Sequence, residues 1–231
     1  MTDISPTQQK HHQAEQLRED NKPYQALELY QQVINELMQA HQFKKLAGPL
    51  QGMSLTYKHL FYRTNNQCFL IIANSLVDAS LKLADKFRAQ FRLTVGHSLK
   101  GDIYLAQAKP KLAVESFQLL NELHQSNDSL KGRYLYHLGS AQYQAGDKNQ
   151  GKKNMVDGLK LIQQPQENQD KYDEKTTDTW LSGAYMTLAK NLKDDKPSLA
   201  REYLNQAREI IDRSQLVVRK EQLDELAKLF E

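Results

Sequence analysis

The segment Gly146-Asp147-Lys148-Asn149-Gln150-Gly151-Lys152-Lys153 reads G-x4-G-K and then lysine, close to a phosphate-binding loop. Such a loop needs a closing Ser or Thr hydroxyl for magnesium and a strand before it. Lys153 has no such hydroxyl, and a helical pattern precedes Gly146, so the segment is expected to be an inter-helix turn with Gly151 as a close-packing residue. Seven histidines and one cysteine could ligate a metal, but neither H-E-x-x-H nor Cys-x2-Cys spacing occurs. His11, His12 and Glu15 share a turn near the start and read as a solvated face, while His59, His97 and His137 fall on separate helices as partly buried side chains. Cys68, beside Phe69 and Leu70, reads as a small core residue. Asn127-Asp128-Ser129 is a glycosylation sequon only in a secreted protein. No Ser, His and Asp arrangement is recognisable as a motif. The expectation is therefore no catalytic residue, no metal, no cofactor and no enzyme activity.

Charge offers a second kind of chemistry. Residues 51–100 hold seven Lys or Arg against two acids, in a chain whose net charge is only +3. Lys58, Arg63, Lys82, Lys86, Arg88 and Arg92 form a basic surface that an acidic partner or a nucleic-acid backbone could use. No nucleic-acid motif accompanies it, and a solvated face is the plainer expectation. One cysteine excludes an internal disulfide, and the start MTDISPTQQKHH has no apolar stretch, so a cytoplasmic protein is expected. The longest apolar run, Cys68 to Ala73, is six residues. A membrane-spanning helix needs ~20, and no membrane association is expected.

The elements that position these residues are helices. Apolar residues recur at three and four, as in Leu27, Tyr30, Val33, Ile34 and Leu37, or Leu204, Ala207, Ile210 and Ile211. Turn chemistry punctuates them at Asp20-Asn21-Lys22-Pro23, Thr64-Asn65-Asn66, Lys109-Pro110, Ser126-Asn127-Asp128-Ser129, Gly146-Asp147 and Asp194-Asp195-Lys196-Pro197. The pattern predicts eleven helices, near 6–20, 23–41, 45–62, 67–87, 90–107, 110–125, 130–145, 148–163, 173–193, 197–212 and 216–230. One long polar link, 163–177, is expected to be a mobile loop inserted between two hairpins of a single domain, 1–231. Across successive hairpins a pair of small or apolar residues recurs twelve positions apart: Ala14 and Ala26, Gly101 and Ala113, Gly139 and Gly151, Leu188 and Ala200. Four residues after each second member stands a bulky one, Tyr30, Phe117, Met155 and Leu204. Small residues admit close backbone approach, and the bulky ones fill the space beyond.

These features resemble the tetratricopeptide repeat (TPR) family, with its W-x2-L-G-x2-Y and A-x3-F pattern. The matches are Gly101-Asp102-Ile103-Tyr104 with Ala113-x3-Phe117, Leu135-x2-Leu138-Gly139 with Ala145-Gly146-Asp147, Ala14-x2-Leu17 with Ala26-x3-Tyr30, and Ala200-x3-Leu204. The pair at 45–87 matches poorly, with only Ala73-x3-Val77 in register, and serves either as a repeat or as a dimerisation element through Phe61, Phe69, Leu70, Ile71 and Ile72. The resemblance implies an all-α, right-handed α-α superhelix, a TPR-like solenoid of about five hairpins, with Gln215–Glu231 as a C-terminal capping helix. It also implies that first helices line a concave groove holding Tyr62, Arg133, Tyr136, Ser140, Tyr143, Gln144 and Tyr185. Tyrosine's broad apolar face and polar tip suit an extended peptide. Some members grip a terminal carboxylate with Lys and Asn. Lys58 fits one such position, but Tyr62, Ser98 and Asp102 depart from the rest, which argues against that clamp. The function expected is a non-enzymatic scaffold binding a peptide or helix of a partner protein. The alternatives are an anion or nucleic-acid binder, or a regulatory sensor whose curvature a ligand shifts.

Overall fold

The computed structural model describes residues 5–123, 128–164 and 173–231. Among them lie eleven α-helices and no strand: α1 (Pro6–Glu19), α2 (Pro23–Gln39), α3 (Ala47–Thr64), α4 (Gln67–Lys86), α5 (Gln90–Ala106), α6 (Pro110–Leu123), α7 (Ser129–Gln144), α8 (Lys148–Gln163), α9 (Glu174–Leu192), α10 (Pro197–Arg213) and α11 (Val217–Ala227). Single 3-10 turns, Phe43–Lys45 and Lys228–Phe230, precede α3 and follow α11. Most of the expected mobile link, 165–172, and the Ser126-Asn127 half of one expected turn lie outside the described residues.

Local chemistry sets the helix ends. Proline opens α1, α2, α6 and α10, where its fixed φ suits the helix and its missing N–H would have had no partner. Ser5 and Gln8 form a reciprocal capping box, and Asn66, Asp128, Asp147 and Asp173 accept from backbone N–H groups of α4, α7, α8 and α9. Several helices end on one device, a left-handed residue followed by an N–H that reaches back to close the last turn. Asn21, His41, Arg88, Ala108 and Gln215 take the left-handed position, followed by Lys22 N to Leu17 O, Gln42 N to Leu37 O, Ala89 N to Ala84 O and Lys109 N to Tyr104 O, each 2.8 Å, and Leu216 N to Ile211 O, 3.1 Å.

The fold divides into two compact units, Met1–Lys109 and Pro110–Glu231. In the first, Ala14 and Ala26 are buried with Tyr30 and Met53. The Tyr30 ring lies where a Cβ on Gly52 would be, and Arg18 Nη1 donates to its hydroxyl at 2.9 Å. Burial pushes the Tyr30 phenol up to about 12. Between α3 and α4, Ser54 Oγ donates to Ala73 O at 2.8 Å. Ala47 and Ser80, seven residues farther along each helix, are also buried. The Ser54–Ala73 contact spans nineteen residues instead of twelve, so the close contact sits about one helical turn farther from the loop on each helix and escapes a fixed-offset comparison. Leu70 and Phe61 are buried, whereas Ile71, Ile72 and Cys68 are exposed, so Cys68 is not a core residue.

By length and composition α4 could cross a bilayer, which the expectation drawn from consecutive apolar residues did not register because Asn74, Ser75, Asp78 and Ser80 interrupt the run. One face of α4 packs against α3 and α5, burying Leu70, Ala73, Val77, Ser80 and Ala84.

In the second unit, α7 and α8 approach through four glycines. A Cβ on Gly139 would lie 2.5 Å from Gly151 O, and one on Gly151 would lie 2.6 Å from Gly139 O. Gly132 and Gly158 repeat the arrangement at 2.6 and 2.5 Å, seven residues away on each helix. Met155 is fully buried beyond them, and the Phe117 ring stacks on His137 with centroids 5.2 Å apart. Leu188, Ala200, Leu204 and Ala207 join α9 to α10 in one cluster with Leu216, Leu223 and Phe230 of the C-terminal cap. Val217 and Leu229 of that cap are exposed. Arg201 Nη2 holds the end of the chain by donating to Phe230 O at 2.7 Å.

Gly139→Ala is expected to destabilise the chain by about 3 kcal/mol, because its neighbours are backbone atoms that cannot rotate away. Gly146→Ala, with φ +105° and nothing within 4 Å, is expected to cost only about 1 kcal/mol of backbone strain. Urea unfolding of both variants checks the contrast.

Candidate binding site

α7, α9 and α11 pack side by side in the second unit, α9 in the middle. Gly183 of α9 forms a floor without a side chain. The guanidinium of Arg219, from α11, comes within 3.1 Å of the point where a Gly183 Cβ would be, and the Tyr136 hydroxyl, from α7, within 3.5 Å. One helical turn away the Arg133 guanidinium lies 5.5 Å from the centre of the Trp180 ring. Arg219 donates to Gln222 at 2.8 Å, and among the described residues neither arginine forms an ion pair with a carboxylate.

A hydrogen-bonded row extends this face. Gln144 donates to Ser140 Oγ at 3.2 Å, and Asn191 donates to the same oxygen at 3.1 Å. The Tyr143 hydroxyl donates to Asp195, which also accepts from Lys148 at 2.9 Å, and Lys148 lies 5.4 Å from the Tyr143 ring centre. Burial first, then the bond to Asp195, pushes the Tyr143 phenol up to about 12. Bonds from Tyr143 and Lys148 hold the Asp195 carboxyl below the usual aspartate range. Tyr185 Oη accepts from Gln163 at 2.7 Å.

Of the residues expected on a groove, the second unit brings together Arg133, Tyr136, Ser140, Tyr143, Gln144 and Tyr185, while Tyr62 lies exposed in the first unit. Tyr136, Tyr143 and Tyr185 are more deeply buried than a peptide-binding row requires. Their rings pack into the cluster of α7 to α11, and the hydroxyl tips of Tyr143 and Tyr185 bond to Asp195 and Gln163. Sequence reasoning passed over Trp180, Gly183 and Arg219. A mid-helix glycine, unfavourable in a helix by itself, was the readable signal for the floor.

The first unit repeats the arrangement on α1, α3 and α5. The Arg92 guanidinium lies within 3.0 Å of a Cβ position on Gly48, and the His11 ring within 3.4 Å. Gln51 Nε2 donates to Arg92 O at 2.7 Å. Burial lowers both the His11 imidazole and the Arg92 guanidinium from their ordinary values. The expected basic surface is divided. Lys58 is buried and bonds Asp102 at 2.6 Å, so it is withdrawn from that surface, and Asp102, one of the departures from the clamp pattern, is its partner. Arg92 is half-buried over Gly48, and Arg63, Lys82, Lys86 and Arg88 are exposed. His59 and His97 lie in the first unit and His137 in the second, and among the described residues no group of three metal-ligating side chains occurs.

No protein-family model matches the sequence, and no curated protein matches it. Among solved structures, the nearly identical TPR-like repeats of a Podosopora anserina sequence assigned to kinesin light chain superpose with a TM-score of 0.58, at 14% identity, over 93% of this chain and 99% of that one. The fold is that of TPR-like helical repeats. A point variant of the same repeats gives 0.58 at 13% identity over 92% and 99%. A weaker likeness, TM-score 0.48 at 20% identity over 90% and 96%, is to MamA from Desulfovibrio magneticus RS-1.

Two outcomes follow from these contacts. Removing the carboxylate in Asp102→Ala leaves the buried Lys58 ammonium without its partner and is expected to cost about 3 kcal/mol, whereas Lys58→Met stays within about 1 kcal/mol of wild type, both by urea unfolding. The Asp195 carboxyl is expected to titrate below a free aspartate by NMR and to move back up in Tyr143→Phe. Its depressed value means that its contribution to stability is present above the ordinary aspartate range and lost on acidification through the folded value. The raised Tyr143 phenol acts oppositely, its contribution being complete below about pH 10 and lost as pH rises towards about 12.

Proposed function

We propose that the chain is a non-enzymatic protein-interaction scaffold that binds a peptide or helix of a partner protein across α7, α9 and α11. TPR-like repeat proteins are interaction scaffolds in general, and that coarser role suits this fold. The observation that supports the finer reading is the convergence of Arg219 and Tyr136 over Gly183, beside Arg133 on Trp180. Arginine, tyrosine and tryptophan are the side chains that most often dominate binding energy, and the missing side chain of Gly183 lets the Arg219 guanidinium and the Tyr136 hydroxyl lie close against α9. A cytoplasmic setting belongs to the same proposal and is supported by the single, exposed thiol of Cys68.

The test is selection of peptides from a displayed random library on the full chain, followed by affinity measurement on two variants. Gly183→Leu fills the floor, and its nearest neighbour is the movable end of Arg219, so the fold is expected to survive. Arg133→Glu reverses the charge on the indole. Each is expected to weaken selected peptides at least about tenfold. Unchanged affinity in both folded variants would contradict the reading.

A further inference from the structure

All seven phenylalanines of the chain lie in described positions, and the three that are exposed share one end of the first unit. Phe43 (42% exposed) stands in the turn between α2 and α3; Phe87 (38%) and Phe91 (64%) flank the turn between α4 and α5. The two turns are neighbours. The 3-10 turn Phe43–Lys45 packs against α4, Leu46 and Leu83 share one apolar cluster, and the Arg92 guanidinium reaches Gly48 at the start of α3. Met38, exposed at the end of α2, adds a fourth apolar side chain. Around them stand Lys44, Lys45, Lys82, Lys86 and Arg88, all exposed, with Asp85 the one acid between Lys82 and Arg92. Among the described residues none of these five cations is paired with a carboxylate. Lys86 and Arg92 instead lie over the rings of Phe87 and Phe91, at 5.9 and 5.4 Å from their centres. Arg88 holds the left-handed turn position, φ 50°, where glycine would be unstrained.

We propose that this end of the first unit docks on an anionic lipid bilayer, the phenylalanines entering the interface and the lysines and Arg88 facing acidic headgroups. The chemistry is complementary in both respects. Phenylalanine is among the apolar side chains that bury at the boundary of headgroups and acyl chains, and unpaired cations near an anionic surface are drawn to it in proportion to their number. A nucleic-acid backbone would answer the charge but leaves the exposed Met38 and the turn-tip rings without a role. The surface is separate from α7, α9 and α11, so its failure would leave the scaffold reading intact.

The experiment is co-sedimentation of the full chain with vesicles of phosphatidylcholine alone or with about 30 mol% phosphatidylserine, at low salt and at about 0.15 M salt. Binding is expected only to the anionic vesicles and should weaken with salt. The Phe87→Ser, Phe91→Ser double variant should weaken it at least about tenfold. Lys86→Gln and Arg88→Gly should each weaken it about fivefold, and Arg88→Gly relaxes its turn, so any loss is not a folding defect. Circular dichroism melts confirm that each variant is folded; if the double variant fails, the two cation variants decide. Absence of binding to anionic vesicles would overturn the proposal, as would binding indifferent to both kinds of substitution. Retention on duplex or single-stranded nucleic acid without vesicle binding would also overturn it and assign the surface to phosphate recognition.

Discussion

The close approach of α7 and α8 is the constraint on which the second unit depends. Gly132, Gly139, Gly151 and Gly158 let two helix backbones meet where any side chain would collide with a carbonyl. With the backbones this near, Met155 is enclosed and Tyr136 and Tyr143 turn towards α9. The first unit reaches a similar end with Ala14 and Ala26, and with Ser54 bonded to the carbonyl of Ala73. Within a unit, small residues thus bring the helices of a hairpin together, while large ones, such as Tyr30 on Gly52, fill the space between neighbouring hairpins. Interiors packed at crystal-like density tolerate little deviation from such a scheme.

On the face of α7, α9 and α11, Arg133 and Arg219 rest on an indole and a glycine and, among the described residues, not on carboxylates. An arginine over a glycine recurs in the first unit, where Arg92 lies over Gly48 with His11 beside it. A guanidinium is weakly hydrated and planar, suited both to stacking and to bidentate recognition.

Helices and their ends were legible in the sequence because proline, Asx caps and three-four periodicity act locally; apart from the end of α6, which borders residues outside the described ones, the boundaries fell within three residues of expectation. Sequence alone leaves the hairpin α3/α4 open between a repeat and a dimerisation element, since its close contact is displaced by about one helical turn on each helix, a shift that a fixed offset cannot detect. Buried tyrosines were misjudged for a physical reason. A residue with an apolar body and a polar tip satisfies a core and a hydrogen bond together, so Tyr143 packs its ring and bonds Asp195. Lys58 was drawn into the basic surface because its partner, Asp102, stands forty-four residues away. The glycines at 48 and 183 carried the better signal, being unfavourable in a helix unless something needs their space.

The central claim is that a ligand is held over α9 between Arg133 and Arg219. Trp180, the single tryptophan, lies under Arg133 on that face and reports on it without a label. The decisive measurement is Trp180 fluorescence during titration of the full chain with a peptide whose binding is established independently by anisotropy. Trp180 is buried, so its emission reports a change in the packing over it, and the account predicts an emission shift that saturates together with the anisotropy. Full binding with Trp180 emission unchanged would contradict it.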